Sequence, residues 1–349
     1  PYFDYFGSLS ALMRKFLKIL EVFAGTVLFL GIIFYLISWR AFQKERQDIT
    51  WGVTFSTVMT RQLGLDPRAV FDAVIDDLGA KKIRLPVYWT DIEPEEGEYV
   101  FGDYDYFVKT SERAGAKLIL AVGRKLPRWP ECHVPQWARE LTYDEKQKAI
   151  EEMMRVVATR YGDYGNVVAW QVENEPFFQF GEGCALETIK PENVEQEVAR
   201  VRGLSDKPVI VTDSGERGWW VAAARHADIL GITMYRQTWS SVLGFVRFPF
   251  GPGFYLMKNW AFEKVFGPKE VWVVELQVEP WGPEKLLPDY DLSLQKDLMN
   301  VERFRDNISY ARRTGFDTFY LWGIEWFYWL KEKQNDPDLW REAGELLRA

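Results

Sequence analysis

Residues 167–176 read Val-Val-Ala-Trp-Gln-Val-Glu-Asn-Glu-Pro, a mostly apolar run that ends in a group of polar residues. A short, near-continuous apolar run is typical of a strand that is buried on both faces of a parallel sheet. A second run, Val271-Trp272-Val273-Val274, ends at Glu275, which lies 100 positions beyond Glu175. The sequence therefore predicts a glutamate at the C-terminal end of each of two buried strands.

The same pattern recurs from residue 50 onward, where short apolar runs alternate with longer amphipathic stretches. The predicted strands are Trp51–Phe55, Lys82–Val87, Lys117–Val122, Val167–Val172, Pro208–Thr212, Ile229–Met234, Glu270–Leu276 and Thr318–Gly323. The predicted helices are 67–79, 103–115, 143–161, 191–203, 217–226, 256–266, 294–314 and 337–348. Eight strand–helix pairs predict a (β/α)8 TIM barrel. A doubly wound open sheet is the alternative, although the glycine-rich turn that usually follows its first strand is missing.

The predicted fold suggests a common role for the two glutamates. The C-terminal ends of all the strands of such a barrel open onto one face, so Glu175 and Glu275 are expected to meet there. Two carboxyl groups on either side of a glycosidic bond are what its cleavage needs, because one protonates the leaving oxygen while the other attacks or stabilises the sugar carbon. The pattern favours glycosidic bond cleavage.

Composition excludes several other classes of protein. The chain has 349 residues and a net charge of -8, whereas a nucleic-acid-binding protein needs a basic surface. Its only histidines are His133 and His226, too few for a multi-histidine metal centre. There is no P-loop and no Gly-x-Gly-x-x-Gly run for a nucleotide, and the two cysteines form no metal-ligand cluster. We expect neither a metal nor an organic cofactor.

Residues 22–39 contain no charged side chain. Eighteen helical residues span about 27 Å, close to the roughly 30 Å hydrocarbon core of a bilayer. We interpret residues 21–42 as a single transmembrane helix that contacts the lipid bilayer. The alternatives are a buried core helix and a cleaved signal peptide, although no Ala-x-Ala site follows the run.

The predicted organisation places an N-terminal tail at 1–20, the anchor at 21–42, a linker at 43–49 and one catalytic domain at 50–349. The basic residues on the two sides of the anchor balance, so they do not fix its orientation. These residues are Arg14, Lys15 and Lys18 before it and Arg40, Lys44 and Arg46 after it. Enzymes that remodel glycans usually work outside the cytoplasm, and we expect the catalytic domain to lie there.

Over most of residues 50–330 the sequence resembles the glycoside hydrolases of clan A, the retaining (β/α)8 families that include cellulases, β-mannanases and β-galactosidases. Trp-Gln-Val-Glu-Asn-Glu-Pro at the fourth predicted strand and Val-Val-Glu-Leu-Gln at the seventh carry the resemblance. It implies that Glu175 is the acid/base and Glu275 the nucleophile. Glu173 is the nearest rival of Glu175, but no asparagine precedes it.

The resemblance also implies substrate-binding roles for four residues. Arg84 and Tyr235 resemble the arginine and tyrosine that contact the nucleophile. Asn174 resembles the side chain that binds the 2-hydroxyl of the sugar, and Trp322 the ring that floors the reacting subsite. Their alternatives are structural: Arg84 as an interior ion pair, and Tyr235 and Trp322 as residues that fill the barrel rim.

The loops after the third, fourth and sixth strands carry further features. Arg124 and Lys125 suggest an anionic or heavily hydroxylated glycan, although salt bridges within loops explain them equally well. Cys132 and Cys184 are a possible disulfide, with two free thiols as the alternative. The long apolar segment Gln237–Tyr255 is expected to be a loop that roofs the cleft, rests on the bilayer or packs on the barrel rim.

These observations favour a membrane-anchored retaining β-glycosidase that hydrolyses β-glycosidic bonds in a poly- or oligosaccharide. In a retaining enzyme the two carboxyl groups are about 5–5.5 Å apart. The first alternative is a transglycosidase of envelope glycan assembly, in which a sugar hydroxyl replaces water. The second is a non-catalytic glycan-binding barrel.

Overall fold

The computed structural model describes residues 3–40, 44–186, 189–240, 242–282 and 287–349. The strands are β1 (Thr50–Thr54), β2 (Lys82–Pro86), β3 (Lys117–Val122), β4 (Val167–Val172), β5 (Val209–Asp213), β6 (Ile229–Met234), β7 (Gln237–Ser240), β8 (Gly244–Arg247), β9 (Glu270–Gln277) and β10 (Thr318–Trp322). The helices are α1 (Phe3–Arg40), α2 (Thr57–Gln62), α3 (Pro67–Asp76), α4 (Trp89–Ile92), α5 (Gly102–Arg113), α6 (Tyr143–Tyr161), α7 (Pro191–Arg202), α8 (Val221–His226), α9 (Gly253–Phe266), α10 (Leu292–Leu298), α11 (Val301–Arg312), α12 (Ile324–Lys333) and α13 (Asp338–Arg348).

The parallel strands close into a barrel in the order β1, β2, β3, β4, β5, β6, β9, β10. The pairing of β1 with β10, in which Trp51 lies beside Phe319, completes the ring. The predicted (β/α)8 barrel is confirmed, and each predicted strand is present with ends that differ by at most one residue. Apolar strand residues face both ways, because a barrel buries one face on its helices and fills its interior with the other.

Local capping fixes several helix ends. Thr142 and Glu145 form a capping box at the start of α6, and Asp66 accepts a hydrogen bond from the backbone N of Ala69 at the start of α3. The single helix predicted over 294–314 is wrong, since α10 and α11 divide this range. Asn300 separates them, because its side chain accepts a hydrogen bond from the backbone N of Arg303 and begins a new helix.

The alternative interpretation of residues 22–39 as a buried core helix is wrong, because most of this part of α1 is exposed. Within the described residues, the stretch Lys15–Arg40 is one helix that is long and apolar enough to cross a membrane. Residues 41–43, which include the end of the predicted anchor and the start of the predicted linker, lie outside the described residues. The rest of the linker packs against the barrel domain, where the backbone N of Arg46 donates to the carbonyl of Arg312 over 2.9 Å.

The last turns of α1 contact the barrel. The backbone N of Gly251 donates to Ser38 Oγ over 3.1 Å, and Trp39 Nε1 donates to the carbonyl of Pro249 over 2.9 Å. The ring of Phe34 meets those of Phe250 and Phe254 edge to face.

The segment Gln237–Tyr255, expected as a loop, contains the antiparallel hairpin β7–β8 and the first turn of α9. This segment contacts two parts of the molecule. Gln237, Thr238 and Phe248 line the pocket at the barrel mouth, while Phe250 and Phe254 pack on α1. The segment thus joins the rim of the pocket to the apolar helix.

Candidate active site

Both carboxylate oxygens of Glu275 are held by neighbouring side chains. Glu275 is the sixth residue of β9, and its side chain is 5% exposed. Arg84 Nη1 on β2 donates to its Oε1 over 2.8 Å, and the Tyr235 hydroxyl at the end of β6 donates to its Oε2 over 2.9 Å. These two donors fix the orientation of the carboxylate and place a positive charge beside it.

Arg84 ties three strands together. Its Nε donates to Gln171 Oε1 over 2.7 Å, and its Nη2 donates to Asn174 Oδ1 over 2.9 Å. The guanidinium is completely buried, so these hydrogen bonds and the ion pair with Glu275 offset the cost of removing its charge from water. Arg84 therefore sets the position of Asn174 as well as that of Glu275.

Glu175 lies beyond the end of β4 in a left-handed backbone conformation, with φ of 45°. Such a conformation is costly for a residue other than glycine and persists where surrounding contacts impose it. The backbone N of Glu175 donates to Thr212 Oγ1 over 2.7 Å, and Thr233 Oγ1 donates to Glu175 Oε1 over 3.1 Å. Residues on β5 and β6 thus direct this side chain towards the pocket that Glu275 also lines.

The pKa of Glu175 is raised well above its usual range. Burial is the main cause, because the charged form loses its hydration, and the negative charge of Glu275 acts in the same direction. The cation of Lys125 opposes both effects. This environment favours the protonated form of Glu175, which is the state that an acid catalyst needs.

A third carboxyl group, that of Glu131, lines the same pocket. This residue was not predicted from the sequence. Asn174 Nδ2 donates to Glu131 Oε2 over 3.1 Å. Burial raises the pKa of Glu131 to about 8, against the opposing charge of Lys125. Its position beside Cys132 in the loop after β3 is the one hint that the sequence contains.

Arg128, a buried arginine that lines the pocket, is held by two acids. Arg128 pairs with Glu279 and donates from Nη2 to Glu325 Oε2 over 3.0 Å. Its guanidinium carbon lies 3.8 Å from the centroid of the Trp322 ring. This stacking holds Trp322, which lines the pocket, in one orientation.

Glu173, the rival acid, points away from the pocket. It is fully buried, and its oxygens accept hydrogen bonds from the backbone N atoms of Arg124 and Lys125 over 3.1 and 2.8 Å. Lys125 Nζ donates to the carbonyl of Glu175 over 2.9 Å, and Arg124 Nη2 donates to the Tyr143 hydroxyl over 3.1 Å. Both cations support the wall behind the site, so they do not support an anionic glycan.

Cys132 and Cys184 form a disulfide with an S–S distance of 2.01 Å. The bond joins the loop after β3, which carries Arg128 and Glu131, to the segment after β4. Lys125 and Cys132 also pair through an isolated antiparallel bridge. The loop that supplies these pocket residues is therefore fastened at both of its ends.

The pocket at the barrel mouth has a volume of about 500 Å³. Aromatic residues form part of its rim, where Phe180 contacts the rings of Trp129, Phe178 and Trp281. Among the described residues, the acids that line it are Glu131, Glu175, Glu182, Glu216, Glu275, Glu279 and Asp289, and the bases are Arg128 and Arg217. The described residues contain no group of three or more side chains suited to hold a metal ion.

The barrel and its relatives define the class of protein: a retaining glycoside hydrolase of the clan A type. The family model for cellulase, glycosyl hydrolase family 5, matches residues 47–241, which is more than half of the chain. The chain belongs to this family. No curated protein sequence shows significant similarity to it.

Solved structures share the fold at low sequence identity. A GH5_18 protein from Streptomyces cattleya, in complex with GlcNAc, is 14% identical with a TM-score of 0.51, covering 80% of this chain and 71% of that one. The exo-β-1,4-mannosidase Op5Man5 from Opitutaceae bacterium strain TAV5 is 15% identical with a TM-score of 0.53, over 78% and 51%. The β-galactosidase from Bacillus circulans sp. alkalophilus is 14% identical with a TM-score of 0.53, over 81% and 51%.

Proposed function

We propose that the protein is a membrane-anchored retaining β-glycosidase that hydrolyses β-glycosidic bonds in a poly- or oligosaccharide by double displacement. The observation that carries this proposal is the pairing of two differently held glutamates in one pocket. Glu275 is held by a cation and a hydroxyl donor, whereas Glu175 is buried beside Glu275 and Thr233. Two carboxyl groups in contrasting environments divide the roles of nucleophile and acid.

In the first step, a carboxylate oxygen of Glu275 attacks the anomeric carbon and forms a glycosyl–enzyme ester. The bond between this carbon and the leaving oxygen breaks, and Glu175 gives its proton to that oxygen. Arg84 and Tyr235 keep the attacking carboxylate in place through their hydrogen bonds. The leaving sugar departs as a neutral alcohol.

In the second step, the Glu175 carboxylate takes a proton from a water molecule, whose oxygen attacks the anomeric carbon. The ester bond to Glu275 breaks, and both glutamates return to their starting states. Asn174, which Arg84 orients through Oδ1, offers its amide to the 2-hydroxyl of the reacting sugar. Trp322 forms the floor of this subsite.

The basic residues of the pocket bear on the substrate class. Of the two in its described lining, Arg128 already pairs with Glu279 and Glu325, so a uronate or sulfated sugar would find little free positive charge. The aromatic rim of Trp129, Phe178, Phe180 and Trp281 offers apolar faces for sugar rings beyond the cleaved bond. We expect a neutral glycan.

We also propose that α1 anchors the catalytic domain, residues 50–349, to a membrane and that this domain lies outside the cytoplasm. The apolar stretch Lys15–Arg40 supports the anchor. The disulfide between Cys132 and Cys184 supports the location, because such bonds persist in oxidising compartments. Modification of free thiols in intact cells, before and after reduction, tests the location.

A mechanism-based label tests the catalytic assignment. A 2-deoxy-2-fluoro-β-glycosyl fluoride forms a long-lived ester with the nucleophile of a retaining enzyme, and peptide mapping by mass spectrometry locates the ester. We expect the label on Glu275, its absence from Glu275→Gln, and retained anomeric configuration in the product by NMR. A label on Glu131 or Glu279, or an inverted product, would contradict the assignment. Glycosylated acceptors in place of free sugar would indicate a transglycosidase.

A further inference from the structure

A second cleft, with a volume of about 340 Å³, lies where the end of α1 meets the barrel. Tyr35 and Trp39 of α1 line it together with residues of the segment after β6, of β8 and of α11. It is separate from the catalytic pocket, with which it shares Phe248 among the described lining residues. Its volume is within the range of about 300–1,000 Å³ that is usual for small-ligand sites.

The cleft is basic although the whole chain is acidic. Its charged lining residues within the described part of the chain are Arg236, Arg247, Arg313 and Asp306. Asp306 lies 3.6 Å from Arg247 and so offsets one of the three positive charges. Ser309, another lining residue, donates its hydroxyl to Glu45 Oε1 over 2.6 Å, but Glu45 itself does not line the cleft. The charged residues that line the cleft therefore carry an excess of positive charge.

Arg236 is the central feature of this site. It is only 3% exposed, and its Nη1 donates to the carbonyl of Phe250 over 3.1 Å. Its Nε has no hydrogen-bond partner, and no carboxylate forms a salt bridge with it in the described part of the chain. A buried cation without a counter-ion is costly, and an anion in the cleft removes that cost.

The guanidinium of Arg236 is held in a fixed position. Burial lowers the pKa of Arg236 and Arg247 acts in the same direction, whereas Tyr310, Tyr255 and Glu216 act in the opposite one. The guanidinium carbon lies 3.6 Å from the centroid of the Tyr310 ring, which fixes its plane. Arginines held in this way suit the oxygens of a phosphate, which accept two parallel hydrogen bonds from one guanidinium.

We propose that this cleft binds the phosphate headgroup of an anionic membrane phospholipid. The position of the cleft identifies the source of the phosphate, because two of its lining residues, Tyr35 and Trp39, belong to the apolar helix. Tyr35 and Trp39 are the aromatic types that lie at the level of lipid headgroups, and basic pockets beside membrane helices bind anionic headgroups. Arg236, Arg247 and Arg313 contact the phosphate, while the acyl chains lie along α1.

The bound lipid would hold the barrel in one orientation relative to the bilayer. The cleft joins α1 to α11 and to the segment that leads from β8 into α9, and this segment also carries Phe248 of the catalytic pocket. The inference rests on the proposed membrane span and on none of the catalytic assignments. Its test must therefore distinguish loss of the lipid site from loss of the span.

Lipid binding to the full-length protein provides this test. The protein, purified in a mild detergent, is titrated with phosphatidylglycerol or phosphatidylcholine, and bound lipid is counted by native mass spectrometry. We expect phosphatidylglycerol to bind at least about tenfold more tightly than phosphatidylcholine, since each arginine near a headgroup contributes about fivefold. The double variant Arg247→Gln/Arg313→Gln should lose at least about tenfold in affinity for phosphatidylglycerol.

Arg225→Gln is the matched control, because Arg225 is an exposed arginine of α8 that does not line the cleft. Arg236→Gln should abolish the preference for phosphatidylglycerol. Arg247 and Arg313 are more accessible than Arg236, so the double variant keeps the test valid if Arg236→Gln does not fold.

Three outcomes overturn the proposal. The first is equal affinity for the two lipids, and the second is an equal loss of affinity in Arg225→Gln and in the double variant. The third is binding of inorganic phosphate as tight as that of phosphatidylglycerol, which would assign the cleft to a free anion. Release of the protein from membranes by alkaline carbonate would contradict the span itself, whereas retention without lipid preference rejects the cleft alone.

Discussion

The pocket at the barrel mouth and the cleft beside α1 bury charges of opposite sign. In the pocket, carboxyl groups crowd around Glu275, and burial raises the pKa values of Glu131 and Glu175. In the cleft, the buried Arg236 has an Nε without a hydrogen-bond partner and forms no salt bridge within the described part of the chain. Buried carboxyl groups that lie close together retain protons, which can then be donated in acid catalysis. A buried cation without a direct ion pair instead favours the binding of an external anion.

The two sites also differ in how their charges are supported. Arg84, which is fully buried beside the pocket, has acceptors on β4 and β9 and lies among the strands of the barrel. Arg236 follows β6 and contacts backbone and rings in a segment that leads to α1. We infer that the pocket is built to hold its geometry without a ligand, while the cleft is completed by one.

The acidic character of the pocket is tested most severely at Glu175. Glu175→Gln removes the proton donor, and we expect kcat/KM on any β-glycoside that the wild type cleaves to fall by about 10²–10⁴-fold. Aryl glycosides with a good leaving group should lose less, because their first step needs no proton. The measurement is steady-state kinetics across leaving groups, with added azide to attack the glycosyl–enzyme.

Glu195→Gln is the control for Glu175→Gln, since Glu195 is an exposed glutamate of α7. It removes the same charge at a distance from the barrel mouth and should leave kcat/KM unchanged. An equal loss for good and poor leaving groups in Glu175→Gln would contradict the role of this residue as an acid. So would a wild-type rate that rises as pH increases through the raised pKa of Glu175, because an acid catalyst loses its proton there.

The next largest effect is expected on stability, from Arg84. Arg84→Met leaves the Glu275 carboxylate buried beside a neutral side chain and also removes the donors to Gln171 and Asn174. Breaking a buried ion pair by removing one partner costs about 3–5 kcal/mol. Denaturant unfolding of the full-length protein in detergent measures this loss.

Adding Glu275→Gln to Arg84→Met should restore part of the lost stability, because a neutral amide needs no counter-ion. Arg225→Met serves as the exposed control, with a change within about 0.5 kcal/mol. If Arg84→Met unfolds at the same denaturant concentration as the wild type, the ion pair between Arg84 and Glu275 does not support the barrel.

The strands that carry these charges could be predicted from the sequence, because an apolar run is a local property. The runs ending at Val172 and near Glu275 place both glutamates at strand ends without knowledge of any tertiary contact. Most of the barrel follows from eight such runs. The helix break at Asn300 was missed, because an asparagine within an amphipathic stretch does not reveal whether its side chain caps a new helix.

Residues on loops could not be predicted in the same way. Arg128, Glu131 and Glu279 reach the pocket because loops after different strands meet, and that meeting leaves no periodic signal. The sequence did contain a signal for the hairpin β7–β8, because Thr238 and Trp239 are residue types that favour strands and Gly244 is one that favours turns. In the structure Gly244 has φ of 69°. The basic cleft depends on where α1 ends against the barrel, which is a tertiary property.

Glu131 sharpens the contrast through pH. Burial raises its pKa from an ordinary 4.5 to about 8, so between these values the folded protein holds a proton that the unfolded chain releases. Its contribution to stability is therefore full below pH 4.5 and is lost as pH rises to about 8. Glu131→Gln should show a smaller decline of melting temperature over this range than the wild type.

Other buried acids, including Glu216 and Glu325 with pKa values of about 7, contribute to the decline in both proteins. The difference between the two melting curves therefore isolates Glu131. Glu195→Gln again provides the control, with the wild-type pH dependence. Parallel curves for wild type and Glu131→Gln would show that Glu131 is ionised in the folded protein at pH 5 as it is in solution.

The smallest effect is expected at the junction between α1 and the barrel. Ser38→Ala removes the acceptor for the buried N of Gly251, and a buried donor without a partner costs about 1–3 kcal/mol. Thr26→Ala is the matched control, because Thr26 Oγ1 bonds only to the carbonyl of Val22 within α1 among the described contacts. We expect Ser38→Ala, and not Thr26→Ala, to lower the melting temperature and to weaken phosphatidylglycerol binding, since Tyr35 and Trp39 shift when α1 loosens. If the melting temperature falls while lipid binding stays at the wild-type level, the cleft holds its lipid through the barrel side alone.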